Sequence, residues 1–364
     1  DRRQRQMCIR DSTGTVNTLG ISGSKTNFVN SMLISNDAGT GTLNAASNNT
    51  GFGHQVFNVL TEGDGNTAIG ADVLSALTTG DNNTGAGLDV LKANTTGSDN
   101  VAVGTNALAA NTTGEQNTAI GKDAGLAITT GDNNVAVGEQ SLITATTADK
   151  NTALGSRALQ LTTTGANNVA VGCLALTANT TGTPNTAVGI SALTANTTGN
   201  DNTAVGANAL DAATTADANT AVGANAGGSL TTGASNTAIG NDALETATTG
   251  ADNVAVGAFA LRVNTADDNT AVGNQALLDN TTGANNVAVG KDSLHNNTTA
   301  SSNTAVGKDA MAANTTGANN TAVGLQSLNG NTTADNNTAV GMNALVSNTT
   351  GANNTALGLS LIHI

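Results

Sequence analysis

Along most of this chain, hydrophobic and polar positions recur with a period of 17 residues, as in NVAVGTNALAANTTGEQ, Asn100 to Gln116. Taking the glycine that closes each NTAVG-like phrase as position 0, the phrase repeats nineteen times from Gly53 to Gly358, and all but one of the eighteen steps between these glycines are 17 residues long. Position −4 is Asn in every copy, −2 is Ala in seventeen copies and Gly in the other two, and −1 is aliphatic except at Phe52 and Ala86. Position +4 is Leu in fourteen of eighteen copies, and +8 and +9 usually form a Thr pair. Strict repetition at so short a period predicts a solenoid, whose units bury a face only against their neighbours.

Within NTAVG, strand periodicity puts −3 and −1 on one face and −2 on the other. Thr or Val at −3 with Val or Ile at −1 predicts the inward face. Ala at −2 then predicts a second surface packed closely against that face, either the other wall of the coil or a neighbouring chain, because an exposed outward position would vary among polar residues. The expected core residues are Val103, Leu108, Val137, Leu142, Val171 and Leu176. Around +3 and +4 the paired threonines and glycine that follow disfavour helix, so a strand or tight turn with Leu pointing inward is expected, with a single helical turn as the fallback. Stacked Asn100, Asn117, Asn134, Asn151, Asn168, Asn185 and Asn202 are expected to form a side-chain ladder that satisfies turn backbone and neighbouring amides. Gly104, Gly121, Gly138, Gly155 and Gly172 are the expected turn glycines.

One step is irregular. Gly257 and Gly273 are 16 residues apart, and LRVNTADDN, Leu261 to Asn269, lacks one Thr of the pair. A deletion inside a strand would turn every later side chain to the wrong face, so positions +7 to +11 are expected to be a length-tolerant loop. The fold class expected is therefore all-β, a parallel β-solenoid or β-roll of about nineteen coils over residues 49–358. Residues 13–48 carry only hints of the phrase, such as NTLG at Asn17 to Gly20, and predict a degenerate lead-in or capping coil.

Composition changes the picture mainly at the ends. MCIRDS, Met7 to Ser12, and LSLIHI, Leu359 to Ile364, resemble translations of the two orientations of one transposon adapter used in sequencing libraries, so residues 1–12 and 359–364 are expected to be adapter-derived. Setting them aside leaves 8 basic and 24 acidic residues, moving the net charge from −14 to −16. An acidic chain with four aromatics, all Phe, lacks the basic patch and stacking platforms of nucleic-acid binding. No apolar run approaches the roughly 18 residues of a membrane span. Cys173 falls at the variable +1 position and reads as an incidental thiol. His54 and His295 lie about fourteen coils apart, too far to share a metal or a catalytic task. No cofactor, metal or catalytic set is expected, and the chain reads as a non-enzyme.

Asn94, Asn111, Asn179, Asn196, Asn280, Asn297, Asn314, Asn331 and Asn348 begin NTT phrases that match the N-glycosylation acceptor pattern, a match that any Asn/Thr loop gives by construction. Acidic residues recur near +11 and +12, as at Asp81, Asp132, Asp149, Asp217 and Asp335. They read as a solvated edge that discourages aggregation, since the nine-residue calcium repeat is absent.

Phrases such as NNVAVGKDSL, Asn285 to Leu294, and NNTAVGLQSL, Asn319 to Leu328, resemble the head repeats of trimeric autotransporter adhesins. The longer phrase with NTTG between copies resembles repeats of bacteriophage tail-fibre-like proteins. The resemblance covers residues 49–358 and implies a homotrimeric β-solenoid used as a stiff shaft or adhesive stalk, extracellular on a virion tail or bacterial surface. It also implies a host-surface or glycan receptor reached through a tip outside this fragment. Two departures stand against it: the 17-residue period exceeds the usual adhesin coil, and neither chaperone domain nor membrane anchor is present in the fragment. An alternative function is a binding module that turns the repeated Thr/Asn faces toward glycans or ice.

Overall fold

A computed structural model describes residues 7–10, 16–22, 31–35 and 45–359. The adapter-like ends lie outside the described residues except for 7–10 and 359, as does much of the lead-in. Two short strands, β1 (Met7–Arg10) and β2 (Val16–Ser22), pair antiparallel, and β2 pairs antiparallel with β3 (Met32–Ser35). From there all pairing is parallel. β4 (Thr50–His54), β5 (Thr67–Ala71) and β6 (Thr84–Leu88) have five residues, and the sixteen strands from β7 (Val101–Val103) to β22 (Thr355–Leu357) have three. The chain is all-β among the described residues, a parallel β-solenoid of about nineteen turns.

The chain divides into two compact units, Asp1–Thr181 and Gly182–Ile364. The first holds eight ruler glycines and the second eleven. In both, equivalent positions pair: Thr152 with Val169 in the first unit, Thr203 with Thr220 in the second. In-register stacking is what an exact repeat permits, since every coil offers its neighbour the same backbone groups. β3 serves as a rung before the repeat begins. Leu33 pairs with Gly51 at −2, and Ser31 Oγ accepts the Asn49 N–H at 2.8 Å, where an asparagine carboxamide acts in later coils.

The strands face the opposite way from the expectation. Ala102 is fully buried, whereas Val101 and Val103 are 37% and 39% exposed. Val137 and Val171 are half-buried on the outer surface. The core is therefore built on Ala at −2 and on Leu108, Leu142 and Leu176 at +4, which have no exposure, together with small residues at +3 such as Ala107. The reason is parity. The −4 Asn is itself inward, 0% exposed at Asn100, and in an extended strand −4 and −2 share a side. A coil this short has room inside for a methyl group at −2 but none for two β-branched side chains.

After the ruler glycine the chain turns through successive three-residue steps. The Ala107 N–H donates to Gly104 O, the Ala109 N–H to Asn106 O, and the Asn111 N–H to Leu108 O. Asn106 and Leu108 hold φ of 59° and 51°, the left-handed region, as does the equivalent pair in nearly every coil. The segment is a tight turn with Leu inward; the helical fallback does not occur. Leucine is costly at positive φ, by about 1–2 kcal/mol, and full burial of its side chain, worth roughly 1.5–3 kcal/mol, offsets that cost.

Volume is exchanged locally inside the coil. Where +4 is Gly125, position +7 is the buried Ile128; where it is Gly227, +7 is the buried Leu230. A Cβ on Gly125 would lie 3.1 Å from Ile128 Cδ1, so the isoleucine enters the space that the +4 leucine fills elsewhere. Gly85 at −2 likewise accommodates Val73 at +3, whose Cγ1 would lie 2.6 Å from an added Cβ. Constant filling, rather than constant identity, is what close packing demands.

Candidate functional site: asparagine ladders and an uncharged outer face

The −4 asparagines form a continuous ladder within each unit. Asn117 Oδ1 accepts the backbone N–H of Asn134 at 3.0 Å and its Nδ2–H at 3.0 Å, while Asn117 Nδ2 donates to Gly131 O at 2.8 Å. The same backbone contact runs from Asn117 to Asn100, Asn151 to Asn134 and Asn168 to Asn151 in the first unit, and from Asn202 to Asn185 in the second. Each carboxamide thus ties the strand entrance of the next coil to the +10 carbonyl of its own.

A second buried ladder, at +7, escaped the sequence reading. Asn111 Nδ2 donates to Asn94 Oδ1 at 3.3 Å and to Gly114 O at 3.0 Å. In the second unit the row runs through Asn264, Asn280, Asn297, Asn314 and Asn331 to Asn348. The signal lay in the NTT phrases, where Asn recurs at a position otherwise held by Leu, Ile, Ala or Thr. That is a buried-position alphabet, and the match to a modification motif obscured it.

The segment from +7 to +11 is accordingly a pinned edge. Thr at +8 donates its hydroxyl to the +8 carbonyl of the next coil, as from Thr95 to Thr112 O at 3.1 Å and Thr281 to Thr298 O at 2.8 Å. Asp81, Asp132, Asp149, Asp217 and Asp335 each accept a backbone N–H from the preceding coil, at 2.6–2.8 Å. The edge still tolerates a deletion. In the short coil Asn264 Nδ2 reaches Ala266 O at 2.7 Å, two residues on instead of three, and strand register resumes at Val254 with Thr270.

Gly104, Gly121, Gly138, Gly155 and Gly172 hold φ between 121° and 143°. A Cβ on Gly104 would sit 2.7 Å from Gly121 O in the next coil, so both backbone angle and stacking distance require glycine there.

The outer face of the strands carries −3 and −1. Position −3 is Thr or Val in every coil, and −1 is aliphatic apart from Phe52 and Ala86, so no charged residue enters either row. Ile69, Ile120 and Leu154 in the first unit are 47%, 42% and 47% exposed, and Val205, Val222 and Ile239 in the second are 37–39% exposed.

Titratable groups lie on the turns that follow the strands, at +1 to +5. The Asn106 carboxamide, donating at 2.8 Å, and the Lys122 ammonium hold the Asp123 carboxyl below its ordinary range, and burial pushes Asp211 above it. Arg262 pairs with Glu245 at 2.7 Å over the Phe259 ring, and this pairing raises its pKa. His54 and Cys173 are exposed, and His295 Nδ1 lies 3.6 Å from Asp292 Oδ1. Among the described residues, no three His, Cys, Asp or Glu side chains gather as metal ligands, and no helix is long and apolar enough to cross a membrane.

The class of protein that this geometry defines is the parallel β-solenoid, with two internal amide ladders and, in each unit, an uncharged outer face of Thr or Val beside an aliphatic row. No family model, curated protein or solved structure matches the chain.

Proposed function

We propose that the chain is a non-enzymatic structural shaft of a fibre or surface adhesin, extracellular and homotrimeric, holding a host- or glycan-binding tip away from its anchor. The observation that carries this reading is the outer face. An outward position should vary freely, yet −3 admits only Thr and Val and −1 stays aliphatic. Thr and Val are near-isosteric, so −3 keeps a shape while the hydroxyl comes and goes. That pattern fits a surface that another chain packs against and excludes from water, since recognition of ice or sugar through hydroxyls would hold the threonine. The +8 threonines, the other regular hydroxyl row, are committed to neighbouring carbonyls.

Light scattering on the full chain tests the reading. The expected mass is three times the 35.4 kDa of one chain, and the triple substitution Val205→Lys, Val222→Lys, Ile239→Lys is expected to lower it while β-sheet circular dichroism persists. A wild-type mass of one chain with full β content refutes self-association.

A further inference from the structure

The NTT phrases are acceptor sequences whose asparagines the fold consumes. Eight of the nine, from Asn94 to Asn331, are completely buried, Asn348 being the exception. At Asn314 and Asn331 both amide protons are committed as well. Asn314 Nδ2 donates to Asn297 Oδ1 and Gly317 O, both at 2.9 Å, and Asn331 Nδ2 to Asn314 Oδ1 and Ala334 O, both at 3.0 Å. N-glycosylation forms a bond from the sugar C1 to Nδ2, breaks the glycosyl–phosphate C–O bond of a lipid-pyrophosphate donor, and releases one amide proton. A modified Nδ2 keeps one proton where the ladder uses two, and it carries a sugar where the coil interior has no space.

We propose that N-glycosylation at +7 and coil closure are mutually exclusive: a chain modified at Asn314 or Asn331 does not fold there, and a folded chain cannot be modified there. A second set of acceptors behaves oppositely. Asn319 and Asn336, in NNT phrases at −5, are exposed on the outside of the turn, so a glycan there leaves both ladders intact.

The acceptor sequence can be removed without touching either ladder, because its third residue is the exposed +9 threonine, Thr316 for Asn314 and Thr333 for Asn331. The short coil shows that this position is dispensable, since Asn264 is followed by Thr265 and Ala266. The experiment expresses the full chain through an N-glycosylating secretory pathway in three forms: wild type, all +9 threonines of the NTT phrases changed to Val, and the same threonines changed to Ser, which keeps the acceptor. Folded, protease-resistant material and retained, aggregated material are mapped separately by mass spectrometry. Glycan on Asn314 and Asn331 is expected only in the retained fraction, and glycan on Asn319 and Asn336 in the folded one. The Val set is expected to give a several-fold larger folded fraction than wild type or the Ser set. Glycan at Asn314 or Asn331 in folded protein overturns the proposal, as do equal folded fractions for the Val and Ser sets. Bare Asn319 and Asn336 on folded chain from a host that glycosylates the retained fraction overturn its second half.

Discussion

Two rows of buried asparagine run through the same coils and differ in how freely they vary. The −4 row is Asn in all nineteen copies, while the +7 row is replaced by Leu, Ile, Ala or Thr in eight of eighteen. Burial does not separate them, since Asn100 and Asn111 are equally inaccessible. The partner does. Asn117 Oδ1 accepts the main-chain N–H of Asn134 in the next coil. Asn111 Nδ2 meets a side chain and a carbonyl, Gly114 O, that already accepts from Asn100 at 2.9 Å. Removing the first strands backbone; removing the second leaves that carbonyl paired. An unsatisfied buried group costs about 1–3 kcal/mol, whereas replacing both partners of a pair by apolar groups is nearly neutral.

Leucine placed in each row in turn separates the two asparagines most directly. Asn117→Leu is expected to destabilise its region by about 4 kcal/mol, because the Asn134 N–H and one donor to Gly131 O are lost together. Asn111→Leu is expected to change stability by less than about 1 kcal/mol, since its Oδ1 has no hydrogen-bond partner beside Ile128 and Leu74 with Leu77 already fill another coil this way. Hydrogen exchange resolved by peptide measures both in place. Equal losses at the two sites would mean that the backbone contact is not what fixes the −4 row.

The same method sharpens the contrast between inner and outer strand positions. Ala102→Val, inside, is expected to cost about 1–3 kcal/mol through overpacking, and Val103→Thr, outside, within about 0.5 kcal/mol in a single chain. A loss from Val103→Thr larger than from Ala102→Val would reverse the facing assigned here.

The period, the parallel coil, the turn at AL and the −4 ladder were legible in the sequence because repetition exposes which positions cannot vary. The facing of NTAVG was not, because hydrophobicity argued for Val103 inward while the parity of Asn100 with Ala102 argued the reverse. A buried Asn looks polar to any pattern of apolar positions, and its burial follows only from its hydrogen bonds. The +7 ladder was obscured for the same reason. Ile128 beside Gly125 and Leu230 beside Gly227 were visible substitutions, but their meaning needed the distance between +4 and +7.

The smallest expected effect separates two carboxylates on the outer turns by the sign of their pH response. Asp123 has its pKa lowered by the Asn106 and Lys122 donors, so it contributes stability above the ordinary carboxylate range that is lost as pH falls through its depressed folded value. Asp211 has its pKa raised by burial, so its ionised form destabilises the coil at neutral pH, and acidification through the raised value relieves that penalty. Asp123→Asn is expected to flatten the acid limb of the stability profile in its unit. Asp211→Asn is expected to raise stability at neutral pH and to lose that advantage as pH falls. Melting followed from pH 3 to 7 reads both, and parallel shifts for the two variants would show that net charge, rather than each carboxyl's own neighbours, sets the response.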